Sequence, residues 1–98
     1  MHQYLINASL QLIPIDHASK AMQQIDKAID IIKASGLPSE VGPFGTTVEG
    51  TYQQVTALID TLNEMMAQNS EAEWVLNIQM HISPSANITM QGKTSKHR

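Results

Sequence analysis

Cysteine is absent from the chain. That excludes disulfide scaffolds, thiolate zinc sites, iron–sulfur clusters, thiol redox chemistry and cysteine nucleophiles. Arginine occurs once, at Arg98. Basic charge is scarce elsewhere: Lys93, Lys96 and Arg98 crowd the last six positions, and only Lys20, Lys27 and Lys33 precede them against all nine acids. A body that acidic is a poor electrostatic match for nucleic acid or an anionic membrane. No apolar run approaches the length needed to span a bilayer. The opening MHQYLINASLQLIPID lacks the basic start and unbroken apolar stretch of a signal peptide. The expected location is therefore the cytoplasm.

What is present suits one small globular domain. The 98 residues are 42% hydrophobic and 15% charged, which is neither a disordered nor a low-complexity profile. The expected boundary sets a single domain over residues 1–92 and a polar, mobile tail over 93–98.

Periodicity places the elements. From Tyr4 to Ile13, Tyr4, Ile6, Ala8, Leu10 and Leu12 alternate with Leu5, Asn7, Ser9 and Gln11. Period two predicts a strand with one buried face, ended by Pro14. Asp16 is the expected cap of a helix running to about Ser35, with Ala18, Ala21, Met22, Ile25, Ala28, Ile29 and Ile32 as its apolar stripe. Gly36 and Pro38 stop it. Glu40 to Gly50 reads as strand, tight bend and strand. Thr51 and Gln54 have capping-box spacing, and Val55, Leu58, Ile59, Leu62, Met65 and Met66 line the helix they open. It is expected to finish near Gln68 or Asn69. Trp74, Leu76, Ile78, Met80 and Ile82 then alternate with Val75, Asn77, Gln79 and His81. Asn87 to Met90 is read as a brief further strand.

Strand, helix, strand, strand, helix, strand is the α+β ferredoxin-like sandwich, with both helices on one face of a four-stranded antiparallel sheet. The other sheet face then has no helix to cover it. It presents Leu5, Asn7, Ser9 and Gln11 from the first strand, Thr47 and Glu49 from the third, and Val75, Asn77, Gln79 and His81 from the last. Such a face can simply be solvated. Its short amides and hydroxyls, with few charges, favour a face paired with a second subunit and holding polar pockets.

Catalytic signatures are missing. His2, His17, His81 and His97 show no metal-ligand spacing and read as surface residues. There is no GxSxG, P-loop or GxGxxG motif. Glu40 and Glu49 form a weak candidate for a two-carboxylate acid/base site; a hydrogen-bonding role for Glu49 is simpler. Among ferredoxin-like activities, an acylphosphatase-type enzyme needs a loop arginine, an RNA-recognition module needs exposed strand aromatics, and a heavy-metal carrier needs CxxC. None is here. The six methionines read as core filler, and Trp74 as core. A small-molecule binder and a purely structural homo-oligomer remain.

Glu40-Val-Gly-Pro-Phe-Gly-Thr-Thr-Val-Glu-Gly50 resembles the thiamine-binding, or YkoF-like, family. The resemblance extends over nearly the whole chain: the opening strand ending in Ile-Pro, the helix closed before Gly36, the helix after Gly50, the Trp74–Met80 strand and the closing Ser95-Lys-His-Arg98. It implies a ferredoxin-like subunit, sheet-to-sheet homodimers or homotetramers, and non-catalytic binding of thiamine or its hydroxymethylpyrimidine portion without cofactor or metal. Phe44 departs from the methionine common in the family and could narrow the pocket or stack on the ligand. The resemblance supports Thr46, Thr47 and Glu49 most directly, with Gly45 and Phe44 in the bend. Asn7, Ser9 and Asn77 join them from the strand alternation. An aminopyrimidine offers ring-nitrogen acceptors and an amine donor, which asparagine, hydroxyl and carboxylate groups can meet; Glu49 is the expected acceptor from the amine.

Overall fold

The structure is a computed structural model describing residues 3–98, so Met1 and His2 lie outside the described residues. Its elements are β1 (Ile6–Pro14), α1 (Ala18–Ala34), β2 (Ser39–Val41), β3 (Thr46–Gly50), α2 (Tyr52–Asn69), β4 (Trp74–His81), a short α3 (Met90–Thr94) and a 3-10 turn (Ser95–His97). The sheet order is β2-β3-β1-β4, antiparallel at every junction. This is the expected ferredoxin-like arrangement.

The helix-side layer follows the alternation. Ile6, Ala8, Leu10 and Val48 meet Ala28 and Ile32 of α1 and Val55, Leu58 and Leu62 of α2 in one core. Ile6, Val48, Val55 and Met66 are fully buried, each contributing roughly 1.5–3 kcal/mol of transfer free energy. The alternation overstates burial at the margins. Tyr4, Ile78 and Ile82 remain 40–45% exposed. The helices pack mainly over β1, β2 and β3, so the inner side of edge strand β4 is only partly covered. Trp74 is an anchored exception: its indole Nε1 donates to Asn63 Oδ1 of α2 at 3.1 Å.

Three local expectations shift. The cap of α1 is His17, without a side-chain bond, because Asp16 Oδ1 accepts from the His17 N–H instead. Pro14 is the last residue of β1, opposite Trp74, rather than the residue after it. Among the described residues Asn87–Ile88 makes one backbone bond beside the sheet, Ile88 N–H to the O of Leu5 just before β1, and the chain then turns into α3 in place of a strand. The capping box of α2 forms as expected: Gln54 N–H donates to Thr51 Oγ1, and Thr51 N–H donates to Gln54 Oε1 at 2.9 Å. Gly36, at φ 78°, supplies the left-handed residue after α1.

Candidate functional site

The site begins as a ladder of side chains on the sheet face away from α1 and α2. Register aligns Asn7 with Glu49 on one side and His81 on the other. Ser9 lies between Thr47 and Gln79, Gln11 faces Asn77, and Ile13 faces Val75. Antiparallel partners share a face, so these rungs form one polar surface with an apolar end.

That face is not wholly uncovered. Residues beyond β4 return across the Asn7 end. Leu5 N–H donates to Asn87 Oδ1 at 2.8 Å, and Met90 N–H donates to Glu49 Oε1 at 2.7 Å. Asn7 Nδ2 donates to Glu49 Oε1 at 3.3 Å and to Ile88 O at 3.1 Å. Arg98 closes the path with an ion pair to Glu40. Thr89 caps α3 by accepting from Gly92 N–H. The polar composition of this segment disguises its role, because hydrogen bonds rather than apolar burial hold it.

The C-terminal segment leaves a cavity of about 510 Å³ beside it. Asn7, Ser9 and Thr47 line its sheet side with Gln79 and His81, and Glu40 borders it from β2; Met90, Lys93 and Thr94 line the opposite wall. Asn7 is only 4% exposed, and both hydrogens of its amide are engaged. Its Oδ1 is buried without a hydrogen-bond partner among the described residues. A buried acceptor left open costs about 1–3 kcal/mol, and this oxygen is enclosed by the protein and does not open into the cavity.

A second hollow of about 410 Å³ adjoins the first through Ser9 and Gln79, and Gln11, Phe44, Gly45 and Asn77 line it. Asn77 Nδ2 donates to Gln11 Oε1 at 3.2 Å, tying that rung to itself. Phe44 stands at the tip of the β2–β3 bend, 82% exposed. Gly45 lets the bend close on β1: a Cβ there would fall 2.9 Å from Leu10 O. Thr46 points to the other layer. It is 4% exposed and lines an apolar cavity of about 370 Å³ between α1 and the bend, which Phe44 and Gly45 also border.

The eight residues singled out from sequence are therefore divided. Asn7, Ser9 and Thr47 share the larger open-face cavity; Ser9, Phe44, Gly45 and Asn77 share the adjoining one. Glu49 sits beside Asn7, its Oε1 already taken by Met90 and Asn7. Thr46 lies behind the sheet. Sequence reading missed Met90, Lys93 and Thr94, which belong to the supposed tail or border it. The available signal was Thr89 three residues before Gly92, a side-chain cap ahead of a short helix. Among the described residues no group of three or more His, Asp or Glu could hold a metal ion, and no helix is long and apolar enough to cross a membrane.

A ferredoxin-like sheet with one layer of helices and a polar open face defines the class, a small α+β sandwich. Residues 8–98 match the thiamine-binding protein family, and the chain belongs to that family. A UPF0045 protein of Clostridium perfringens is 29% identical over 92 residues, covering 94% of this chain and 96% of the relative. A crystal structure from Thermotoga maritima, of a protein provisionally assigned to thiamine biosynthesis or salvage, superposes with a TM-score of 0.89. It is 29% identical, over 96% of this chain and 99% of that one. A Bacillus cereus domain of unknown function gives a TM-score of 0.88 at 26% identity, over 98% of this chain and 92% of that one.

Proposed function

We propose that the chain is a cytoplasmic, non-catalytic binding protein for thiamine or its hydroxymethylpyrimidine moiety, and that the open sheet face holds the ligand. Family membership supports the ligand class. The observation that carries the placement is the cavity itself, which Ser9, Thr47 and Gln79 line with Asn7 on the open sheet face. An aminopyrimidine's exocyclic amine donates to a hydroxyl or amide oxygen of Ser9, Thr47 or Gln79. Ser9, Thr47 and Gln79 meet the ring nitrogens, and Asn77 and Phe44 receive the rest of the molecule in the adjoining hollow. Glu49 acts one step back, holding the Asn7 amide by its Nδ2 hydrogen and so fixing that side chain at the cavity wall. A cavity of this size falls in the range of about 300–1,000 Å³ usual for small-molecule sites.

A second copy of the chain completes the site in this reading. Ile13 and Val75 oppose each other at the bare end of the face, 41% and 43% exposed, next to short polar groups. Isologous stacking of two such faces covers them and closes the hollow around Phe44.

Isothermal titration with thiamine and with hydroxymethylpyrimidine tests the proposal. Binding by wild type, weakened about tenfold or more in Asn7→Ala at unchanged secondary structure, is expected from loss of a side chain that lines the cavity and ties Glu49 and Ile88 in place. No heat and no thermal shift with either compound overturns the binder. Unchanged affinity in folded Asn7→Ala moves the site elsewhere.

A further inference from the structure

The cavity of about 370 Å³ behind the sheet belongs to neither hollow of the open face. Its floor is cut into the core: Leu10, Ala28, Ile32 and Leu62, at 2–4% exposure, all line it. Small side chains make the room. Ala21 and Ala28 lie two turns apart on the wall that α1 provides, and Gly42 and Gly45 shape the wall that the bend provides. Protein interiors leave few voids larger than a water molecule. A hollow that opens at the surface and reaches the core is a volume for an occupant, and its size suits a small molecule.

The lining is chemically one-sided. No Asp, Glu, Lys, Arg or His borders the cavity among the described residues. Gln11 and Thr46 are its only polar side chains, and Gln11 Oε1 already accepts from Asn77 on the open face. Thr46 is buried there and brings the one hydroxyl. At the mouth, Ile13, Val41 and Phe44 keep large apolar side chains exposed.

We propose that this cavity is a second ligand site, for a neutral and mainly apolar small molecule carrying one hydrogen-bonding group. Hydrocarbon surface gains by leaving water for these walls. A charged group entering them loses its hydration and meets no counter-charge. An O–H on the ligand donates to Thr46 Oγ1, and the exposed side chains at the mouth close against its outer edge. The ligand class is thus unlike that of the open face, where amides and hydroxyls predominate. Phe44 and Gly45 border both regions, so one bend serves two sites. The proposal stands independently of the thiamine reading.

The test uses the full chain at neutral pH with 1-naphthol, an uncharged bicyclic probe with one O–H, and 1-naphthoate, of similar size but negatively charged. Calorimetry reads affinity and amide chemical shifts locate the contacts. Wild type is expected to bind 1-naphthol about tenfold or more tighter than 1-naphthoate. Shifts are expected at Ile25, Thr46 and Leu76 rather than at Ser9, Thr47 and Asn77. Ala21→Leu fills the cavity from α1 and should weaken 1-naphthol about tenfold or more, with a melting temperature unchanged or raised. Thr46→Val keeps the shape without the hydroxyl; it should weaken 1-naphthol roughly two- to tenfold and leave naphthalene unaffected. No binding of 1-naphthol, equal affinity for the two probes, or shifts confined to the open face overturns the proposal. So does undiminished binding by folded Ala21→Leu. Should that variant not fold, the wild-type shifts and Thr46→Val decide: equal weakening of 1-naphthol and naphthalene, or none of either, removes Thr46 and the site with it.

Discussion

The two faces of β1 are closed by different physics. Toward the helices, Ile6, Ala8 and Leu10 are sealed by apolar packing at 0–3% exposure. On the other side, Asn7 reaches 4% exposure beneath a segment held by hydrogen bonds to Leu5, Asn7 and Glu49. Similar burial therefore has different consequences. Apolar closure is non-directional and leaves no group wanting a partner. Polar closure is directional: it needs matched donors and acceptors, as where Met90 N–H and Asn7 Nδ2 meet Glu49 Oε1. The first face is closed by burial, the second by specific bonds.

The contrast can be broken most severely from the packed side. Ile6→Ala should lose about 2–5 kcal/mol, because a fully buried aliphatic chain leaves a cavity that neighbours only partly fill. Urea denaturation reads it; a loss below about 1 kcal/mol would mean the helix layer can collapse onto the sheet.

On the polar side the largest effect belongs to Glu49→Ala. It removes the acceptor of Met90 N–H and of Asn7 Nδ2, for an expected cost of about 1–3 kcal/mol. The damage should be local. Hydrogen exchange at Met90 and proteolysis beyond Asn87 should accelerate while the amides of Ile6 and Val48 stay protected. Uniform acceleration would show that the two faces are one cooperative unit.

Arg98→Ala sharpens the same comparison at its weakest tie. The pair with Glu40 is exposed on both sides, so its removal should change stability by about 0–1 kcal/mol and matter less in high salt. Smallest in folding terms is Val75→Thr, within about 0.5 kcal/mol for an exposed strand position. Its readout is assembly: light scattering should show a wild-type oligomer that dissociates at higher concentration in the variant. A wild type of about 11 kDa at micromolar concentration would remove the second copy from the proposed site.

Much of the molecule is legible in its residues alone. Period two in β1 and β4 and period near 3.6 in α1 and α2 mark which side chains face the core, because burying an apolar stripe leaves few alternatives. The capping box at Thr51 and Gln54 is local chemistry and needs no tertiary context. Alternation also puts Asn7, Ser9, Thr47, Glu49, Asn77, Gln79 and His81 on one side, as the register has them. It fails where burial depends on what lies above a strand. Ile78 and Ile82 alternate like core residues yet stay exposed at an edge the helices barely reach.

The sequence by itself determined the element order, the apolar layer and the polar character of the free face, since those follow from periodicity and transfer free energy. Only the tertiary structure decided that the segment from Asn87 to Arg98 returns across the open face. Its placement rests on bonds between groups far apart in the chain: Met90 with Glu49, Asn87 with Leu5, Arg98 with Glu40. Such directional contacts carry no periodic signature, so no local pattern could show that Lys93 shares a cavity with Asn7.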